Sequence, residues 1–171
     1  MTALQISSLS ALPQIRALGR HTGRDPLPLF WTASGAELLF TGSELWFQLE
    51  CDYTEIEPWV SIELNGAWIA RQALAPGRNR VCADRGITPG TPKHVRLLID
   101  VQPMPQDPTH FLQLNAVEYA GGEFLPLPEP RYRLEFVGNS ITSGEGTLGA
   151  RQEEDWIGAF FSAEKTYARL T

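Results

Sequence analysis

The clearest structural signal in the sequence is the stretch WVSIELNGAWIAR, which covers residues 59–71. Two runs rich in apolar and β-branched side chains flank the dipeptide Asn65-Gly66. A type I′ turn needs positive φ at both central positions, and Asn followed by Gly is the pair that favours it most strongly. The stretch therefore predicts a β-hairpin with strands at residues 59–64 and 67–71.

Further strand-like runs lie on both sides of the hairpin, about ten residues apart, with turn residues between them. The last run alternates, with Leu112, Leu114 and Ala116 on one face, and no convincing helix occurs in this half of the chain. Such a pattern predicts a mainly β fold, an antiparallel β-sandwich of the jelly-roll type. The other predicted strands lie at residues 38–40, 45–49, 79–82, 95–101 and 111–119.

The pattern changes after a proline-rich stretch, FLPLPEP at residues 124–130. Prolines at alternate positions cannot donate to a sheet and keep the chain extended, which is typical of a stiff linker. Beyond it, the pattern predicts a strand at residues 133–137, a turn, and a helix with an apolar stripe at residues 153–167. We therefore divide the chain into a β-sandwich at residues 1–128 and the short start of an α/β domain at residues 129–171.

The composition argues against several classes of partner. The chain has 171 residues, of which 43% are hydrophobic and 20% charged, and a net charge of −6. Nucleic acids and anionic membranes attract basic surfaces, so neither is expected as a partner. No apolar run approaches the ~20 residues of a membrane span. The N-terminus lacks the pattern of a secretory signal, and we expect a cytoplasmic protein.

The cysteines indicate neither a disulfide scaffold nor a metal site. Cys51 and Cys82 are too few for such a scaffold, and both lie in strand-like runs. We interpret them as free, buried thiols, which can pair only if their strands are neighbours. No spacing of Cys and His resembles a zinc site, and neither a metal nor a cofactor is expected.

The most informative string for chemistry is EFVGNSITSGEG, residues 135–146. It places the hydroxyl of Ser140 just past a predicted strand, where α/β proteins build their sites. Gly138 lets the backbone turn sharply and approach a substrate closely. The backbone N–H of Ser140 is available to a developing oxyanion. From the residues alone, a serine that caps a loop or helix is the alternative.

This string resembles block I of the GDSL (SGNH) hydrolases, which reads Gly-Asp-Ser-Ile-Thr in the carbohydrate-esterase branch. Other strings resemble the N-terminal jelly-roll domain of carbohydrate esterase family 2, so that the resemblance runs from about residue 14 onward. They are LGR at residues 18–20, Trp31, FTGS at residues 40–43, Asn65-Gly66, and LPLP at residues 125–128.

The resemblance implies an esterase mechanism in which Ser140 attacks the ester of an acylated carbohydrate or another small ester. Its backbone N–H would contribute to the oxyanion hole, and Gly138 and Asn139 belong to the same site. In the family, a Gly and an Asn of later blocks complete the hole, and a His near the C-terminus is the base. Asn139 stands where the family usually has Asp, which removes a charge beside the nucleophile.

The sequence also departs from the family pattern because it ends at Thr171, before the later blocks. His21, His94 and His110 all precede Ser140, and none matches the catalytic His of the family. Removal of the His from a related triad lowers kcat by a factor on the order of 10⁶. We therefore expect the chain alone to be essentially inactive as an esterase.

Two other functions remain open at this point. Jelly rolls often bind sugars through aromatic side chains, and Trp31 and Trp59 are the candidates because they flank loop-like Pro and Gly positions. Alternatively, residues 131–171 are an interaction piece, since about 40 residues rarely fold unaided. Such a piece packs against its own sandwich, pairs with a second copy in a homo-oligomer, or waits for another partner.

Overall fold

The computed structural model describes residues 3–104 and 106–170. These residues form eleven strands in two antiparallel sheets, which confirms the predicted mainly β sandwich. Sheet 1 contains, in spatial order, β1 (Gln5–Ser7), β10 (Phe111–Ala120), β5 (Glu44–Asp52) and β8 (Gly77–Arg85), with β3 (Leu27–Pro28) also paired to β10.

Sheet 2 contains the predicted hairpin. Its spatial order is β11 (Phe124–Leu125), β4 (Gly35–Phe40), β9 (Lys93–Val101), β6 (Trp59–Leu64) and β7 (Ala67–Ala73), with β2 (Arg16–Leu18) also paired to β4.

The turn between β6 and β7 confirms the hairpin prediction. Asn65 and Gly66 have φ angles of 51° and 81°, and Leu64 pairs with Ala67 across the turn. Both central residues therefore adopt the positive φ that a type I′ turn requires. The turn sets the register of the pairs next to it, and a register shift follows between Ile62 and Glu63.

The hydrophobic core lies between the two sheets, because alternate residues of each strand point inward. In β9, Val95, Leu97 and Ile99 are buried in this core, so that the residues between them face outward from sheet 2. The largest core side chains include Phe40, Phe47, Ile15, Leu27, Leu29, Leu38, Leu45, Leu49 and Ile62.

The alternation in β10 is interrupted by a β-bulge. Leu112 and Leu114 lie in the core as predicted, but the register shifts between Leu114 and Ala116. Val117 therefore becomes the next core residue. Because the bulge adds one residue, every side chain beyond it changes face.

The C-terminal segment (residues 129–170) packs against the sandwich, and it differs from the prediction in two details. Residues 133–137 form no paired strand, and residues 153–167 form no continuous helix. The segment instead contains a short helix α1 (Ser140–Ser143), two single 3₁₀ turns (Gly158–Phe160 and Ala163–Lys165) and a short helix α2 (Tyr167–Leu170).

Both differences have a physical reason. A parallel strand needs a neighbouring strand to accept its hydrogen bonds, and no strand of the described residues pairs with residues 133–137. The apolar residues of the predicted helix are used differently, since Phe161 is buried against Val101 and Met104 of the sandwich. Among the described residues, no helix has the length and apolar character of a membrane span.

The two cysteines are free thiols. Cys51 is buried in β5, and Cys82 is half-buried in the neighbouring strand β8. They do not face each other, because Cys51 pairs with Gly77 and Cys82 with Trp46.

A glycine in sheet 2 that leaves no room for a side chain predicts the cost of a small substitution. A Cβ added at Gly35 would lie 1.8 Å from the carbonyl oxygen of Leu97, so β4 and β9 would have to separate. We expect Gly35→Ala to lower the free energy of unfolding by about 1–3 kcal/mol in urea titrations. Gly23→Ala is the control, because its nearest contact is 3.9 Å away, and an equal effect of both changes would contradict the argument.

Candidate active site

Ser140 opens helix α1, and Asn139 caps it. The side-chain oxygen of Asn139 accepts a hydrogen bond from the backbone N–H of Ile141 at 3.1 Å. Since Asn is as good an N-cap as Asp, the missing charge at this position leaves the cap intact. Ser140 is exposed, and neither its hydroxyl nor its backbone N–H has a hydrogen-bond partner among the described residues.

The far end of α1 is held by the backbone of Ser162. Gly144 ends the helix with φ 88° and donates its N–H to the Ser140 carbonyl at 2.9 Å. Its own carbonyl accepts the N–H of Ser162 at 2.9 Å. A Cβ at Gly144 would lie 2.1 Å from the Ser162 carbonyl oxygen, so only glycine permits this contact.

Side chains on both sides of Ser140 fix the turn further. The hydroxyls of Thr142 and Tyr167 are 2.9 Å apart and hydrogen-bonded, and the ring of Phe136 packs edge-on against Tyr167. A Cβ at Gly138 would lie 1.9 Å from the Thr142 hydroxyl oxygen. Gly138 is therefore required for close packing within the turn, as its place in the motif suggests.

A buried carboxylate of the sandwich anchors this assembly. Asp100 lies on the outward face of β9, yet it is 0% exposed because the C-terminal segment covers it. Its Oδ1 accepts the hydroxyl of Ser162 at 2.9 Å and the N–H of Glu164 at 3.3 Å, and its Oδ2 accepts from Arg71. Ser162 thus connects Asp100 to Gly144, and Gly144 connects it to the turn of Ser140.

Arg71 binds both Asp100 and the backbone of the C-terminal segment. Its guanidinium donates to the carbonyls of Gly158 at 2.9 Å and Phe161 at 2.5 Å, besides its ion pair with Asp100. It also stacks on the indole ring of Trp59, with 3.9 Å from Cζ to the ring centroid. One side chain of β7 therefore binds β9, β6 and the C-terminal segment together.

A second charged group lies where α2 meets the sheet. Arg169 pairs with Glu63 of β6 and with Glu164 at 3.4 Å. Burial raises the pKa of Glu164 to about 7, since Arg169 only partly offsets it and Glu63 adds repulsion. Burial also acts to raise the pKa of Glu63, but the guanidinium of Arg169 outweighs it and holds this pKa below its ordinary value.

The start of the C-terminal segment is tied to the opposite edge of sheet 2. Arg16 of β2 donates to the carbonyl of Pro128 at 2.7 Å, and Arg20 pairs with Glu135 at 2.7 Å on the surface. The segment therefore runs across the outer face of sheet 2, from β2 to the β6–β7 hairpin. The segment therefore packs against its own sandwich, and pairing with a second copy or with another partner stays a prediction.

The two candidate sugar-binding tryptophans have different surroundings. Trp31 lies in the loop between β3 and β4 and is 58% exposed. Trp59 lies in β6, half-buried, with Arg71 on its ring and its indole N–H donated to Glu57 at 2.9 Å. Trp31 is therefore the more accessible of the two, and a role for either in binding sugars stays a prediction.

The histidines lie on the sandwich and not at Ser140. His94 is bonded to Glu37 at 2.7 Å on the outer face of sheet 2, and burial lowers the pKa of His110. Within residues 3–104 and 106–170, no histidine is a hydrogen-bond partner of Ser140, and no group of three or more acidic, His or Cys side chains could hold a metal ion.

The catalytic roles of Ser140, Asn139 and Gly138 stay predictions, and sequence reasoning missed the residues that position their turn. Asp100 and Arg71 carry the anchor, and each gave only a faint signal. Asp100 interrupts an apolar run in β9, and a carboxylate inside such a run indicates a buried partner. Its partners lie 29 to 64 residues away in the chain, which no local pattern reveals.

The solved structures that resemble this chain supply the context for the site. An acetyl xylan esterase from the rumen bacterium Butyrivibrio proteoclasticus is 44% identical, with a TM-score of 0.93 over 98% of this chain and 45% of its own. A family two carbohydrate esterase from Cellvibrio japonicus is 19% identical, with a TM-score of 0.80 over 99% of this chain and 49% of its own. The chain has the fold of family 2 carbohydrate esterases over the part that it spans.

A third structure shares this fold. It is a family two carbohydrate esterase from Clostridium thermocellum in complex with cellohexaose, 21% identical, with a TM-score of 0.79 over 91% of this chain and 46% of its own. The resemblance to carbohydrate esterase family 2 is therefore confirmed. The chain spans just under half the length of these structures. No protein-family model and no curated protein matches the sequence.

The Arg71–Asp100 junction predicts a large effect for a single substitution. Arg71→Met keeps much of the side-chain volume but leaves the Asp100 carboxylate without its charged partner. We expect the free energy of unfolding to fall by about 3–5 kcal/mol, because breaking a buried ion pair strands a charge. Urea unfolding measures this, and hydrogen exchange should show faster exchange at the amides of Ser162 and Glu164.

The matched control is Arg85→Met, which removes an exposed guanidinium from β8. Exposed pairs contribute about 0–1 kcal/mol, so this variant should resemble the unmodified chain. Equal stability of the two variants would contradict the anchoring role of Arg71.

The raised pKa of Glu164 predicts a pH dependence of stability. Its folded pKa of about 7 exceeds the ordinary value of 4.5, so the folded state binds the proton more tightly. The resulting stabilisation is complete below pH 4.5 and disappears as the pH rises through about 7. Glu164→Gln should remove this dependence. Between pH 5 and pH 8, the free energy of unfolding of the unmodified chain should therefore fall by up to about 3 kcal/mol relative to that of the variant.

Urea unfolding at several pH values provides the comparison, and Glu123→Gln is the control because Glu123 is exposed. The same pH profile for Glu164→Gln and the unmodified chain would show that this carboxyl does not titrate in the window.

Proposed function

We propose that this chain carries the nucleophile of a carbohydrate ester hydrolase of the GDSL (SGNH) type, with Ser140 as the attacking group. The observation that carries the proposal is the turn itself. The hydroxyl and the backbone N–H of Ser140 lie exposed, without partners among the described residues, on a turn anchored to the sandwich. The 44% identity to an acetyl xylan esterase supports an acetylated polysaccharide as the substrate.

The proposed reaction begins when the Oγ of Ser140 bonds to the carbonyl carbon of the ester and its proton passes to a general base. The carbonyl oxygen becomes an oxyanion, to which the N–H of Ser140 donates. The C–O bond to the sugar then breaks, and the sugar oxygen takes up the proton. Water hydrolyses the acetyl-serine in the second half of the reaction.

Asn139 has a positioning role in this scheme. Its side chain accepts the N–H of Ile141, and its carbonyl accepts the N–H of Thr142 at 2.9 Å. These bonds satisfy the amides that follow Ser140 and leave the N–H of Ser140 itself available to the oxyanion. An uncharged cap also avoids placing a carboxylate beside the negative charge that develops on the substrate.

We propose that the general base lies outside the described residues, since no histidine among them is a hydrogen-bond partner of Ser140. Apolar side chains flank the nucleophile on the surface, with Val137 89% and Ile141 70% exposed. We propose that a further polypeptide surface covers these side chains and places the base against Ser140. Without such a surface, the 171-residue chain should hydrolyse esters only slowly.

Carbohydrate binding by the sandwich is the second candidate function, and the exposure of Trp31 favours it. Phe30 and Phe111 are exposed as well. The N–H of Leu29 donates to the carbonyl of Leu112 at 2.9 Å, which extends the β3–β10 register toward these two rings. Exposed aromatic rings such as these are suited to stacking on sugar rings.

Acylation of Ser140 by an activated acetate tests the nucleophile directly. The chain is incubated with p-nitrophenyl acetate, with and without imidazole as an external base, and its peptides are analysed by mass spectrometry. We expect Ser140 to be acetylated faster than the exposed hydroxyl of Ser10, by a factor on the order of 10², because the Ser140 N–H stabilises the oxyanion. Imidazole should accelerate the reaction at Ser140.

Ser140→Ala is the matched variant and should lose the imidazole-dependent acetylation of its peptide, while Ser10→Ala should retain it. Acetylation of Ser140 at the same rate as Ser10 would refute the assignment of Ser140 as nucleophile.

A further inference from the structure

The outer face of sheet 1 has a second surface with the character of a binding site. It is a depression of about 380 Å³ on the side of the sandwich away from Ser140, and no residue of the C-terminal segment lines it among those described. We call it the sheet 1 depression. Its lining residues are Gln48, Leu49, Arg78, Asn79, Arg80, Asn115 and Glu118.

The β-bulge in the pairing of β10 with β5 borders the depression. Asn115 is the extra residue, without a partner in β5, and the next outward residue is the small Ala116, which pairs with Gln48. A bulge re-aims side chains and is common next to functional sites. The bulged Asn115 lines the depression together with polar side chains of β5 and β8 and with Glu118 of β10.

Mutual hydrogen bonds order the polar side chains in advance. The amide of Gln48 donates to Glu118 at 2.5 Å, and Arg80 pairs with Glu118 at 2.7 Å. The amide of Asn115 donates to Glu50 at 3.1 Å. Groups that are ordered before binding lose little conformational entropy when a ligand arrives.

Several hydrogen-bonding groups of the depression are nevertheless available. The side-chain oxygens of Gln48 and Asn115 accept no hydrogen bond, and the guanidinium of Arg78 makes no ion pair, within the part of the chain that the structure describes. The depression therefore offers two acceptors and a planar set of donors. Neighbouring hydroxyls of a sugar ring are donors and acceptors at once and match such a set.

The charges of the depression indicate an uncharged ligand. Arg78 and Arg80 are offset by Glu118 and by Glu50 beside it, so no net charge attracts an anion. The guanidinium of Arg80 also covers one face of the Trp46 ring, with 3.7 Å from Cζ to the ring centroid. A nucleobase therefore cannot stack on that face of the indole. From these observations we infer that the sheet 1 depression binds a neutral oligosaccharide through hydrogen bonds.

This inference deepens the proposed function, since the proposed substrate is a polysaccharide, and it rests on that proposal for the class of sugar. Sheet 2 carries the turn of Ser140 and sheet 1 carries the depression, so the two sites lie on opposite outer faces of the sandwich. The depression is thus a separate attachment site that holds the polysaccharide near the enzyme and takes no part in the reaction at Ser140.

Calorimetric titration of the whole chain with xylohexaose tests the inference. We expect saturable binding, and Arg78→Ala should weaken it by about tenfold or more, as for the loss of a hydrogen bond from a charged group. Gln48→Leu is a second variant, which keeps the size but removes the acceptor, and should weaken binding as well. Arg85→Ala, at the end of the same strand and outside the depression, should bind as the unmodified chain does.

Three results would overturn the inference. They are the absence of binding to both xylohexaose and cellohexaose, loss of binding on Trp31→Ala but not on Arg78→Ala, and tighter binding of polygalacturonate than of the neutral sugars. Far-ultraviolet circular dichroism establishes that each variant is folded. Ser140→Ala should bind xylohexaose normally, so that failure of the nucleophile assignment and failure of the sheet 1 depression give different results.

Discussion

The buried carboxylate of Asp100 determines how the two parts of the chain fit together. A charge on the outer face of sheet 2 has to be covered by donors if it is to lie away from water. Arg71 supplies one partner from the sandwich, and Ser162 and Glu164 supply the others from the C-terminal segment. These polar groups hold the segment in one position on the sandwich. The position of the segment in turn fixes the position of the Ser140 turn, because Ser162 bonds both to Asp100 and to Gly144.

The sequence predicted the sandwich well because the information that specifies it is local. Asn65-Gly66 requires one turn type, and alternating apolar residues define the inner face of each strand. The bulge near Asn115 was not predictable in this way, since an extra residue becomes visible only when two strands are paired. That single residue moves Val117 into the core and itself lines the sheet 1 depression.

The C-terminal segment was predicted less well for a physical reason. The runs at residues 133–137 and 153–167 have the patterns of a strand and a helix, but such elements are stable only when a sheet completes them. Within the described residues, the segment is instead shaped by the groups that Asp100, Arg71 and Glu63 offer. The motif at Gly138–Ser140 was recognisable because its chemistry is local, whereas its anchor consists entirely of long-range contacts.

Ser140 and several apolar side chains close to it in the chain are exposed together. The contacts with Asp100 and Arg71 are made by residues 158–164 of the segment, whereas Leu134, Val137 and Ile141, which lie near Ser140 in the chain, remain exposed. Exposed apolar side chains in such a group mark a surface that another polypeptide covers. Because the proposed nucleophile lies near them, a polypeptide that covered this surface would also desolvate Ser140. Desolvation would strengthen the hydrogen bond that the proposed mechanism draws from its N–H to an oxyanion.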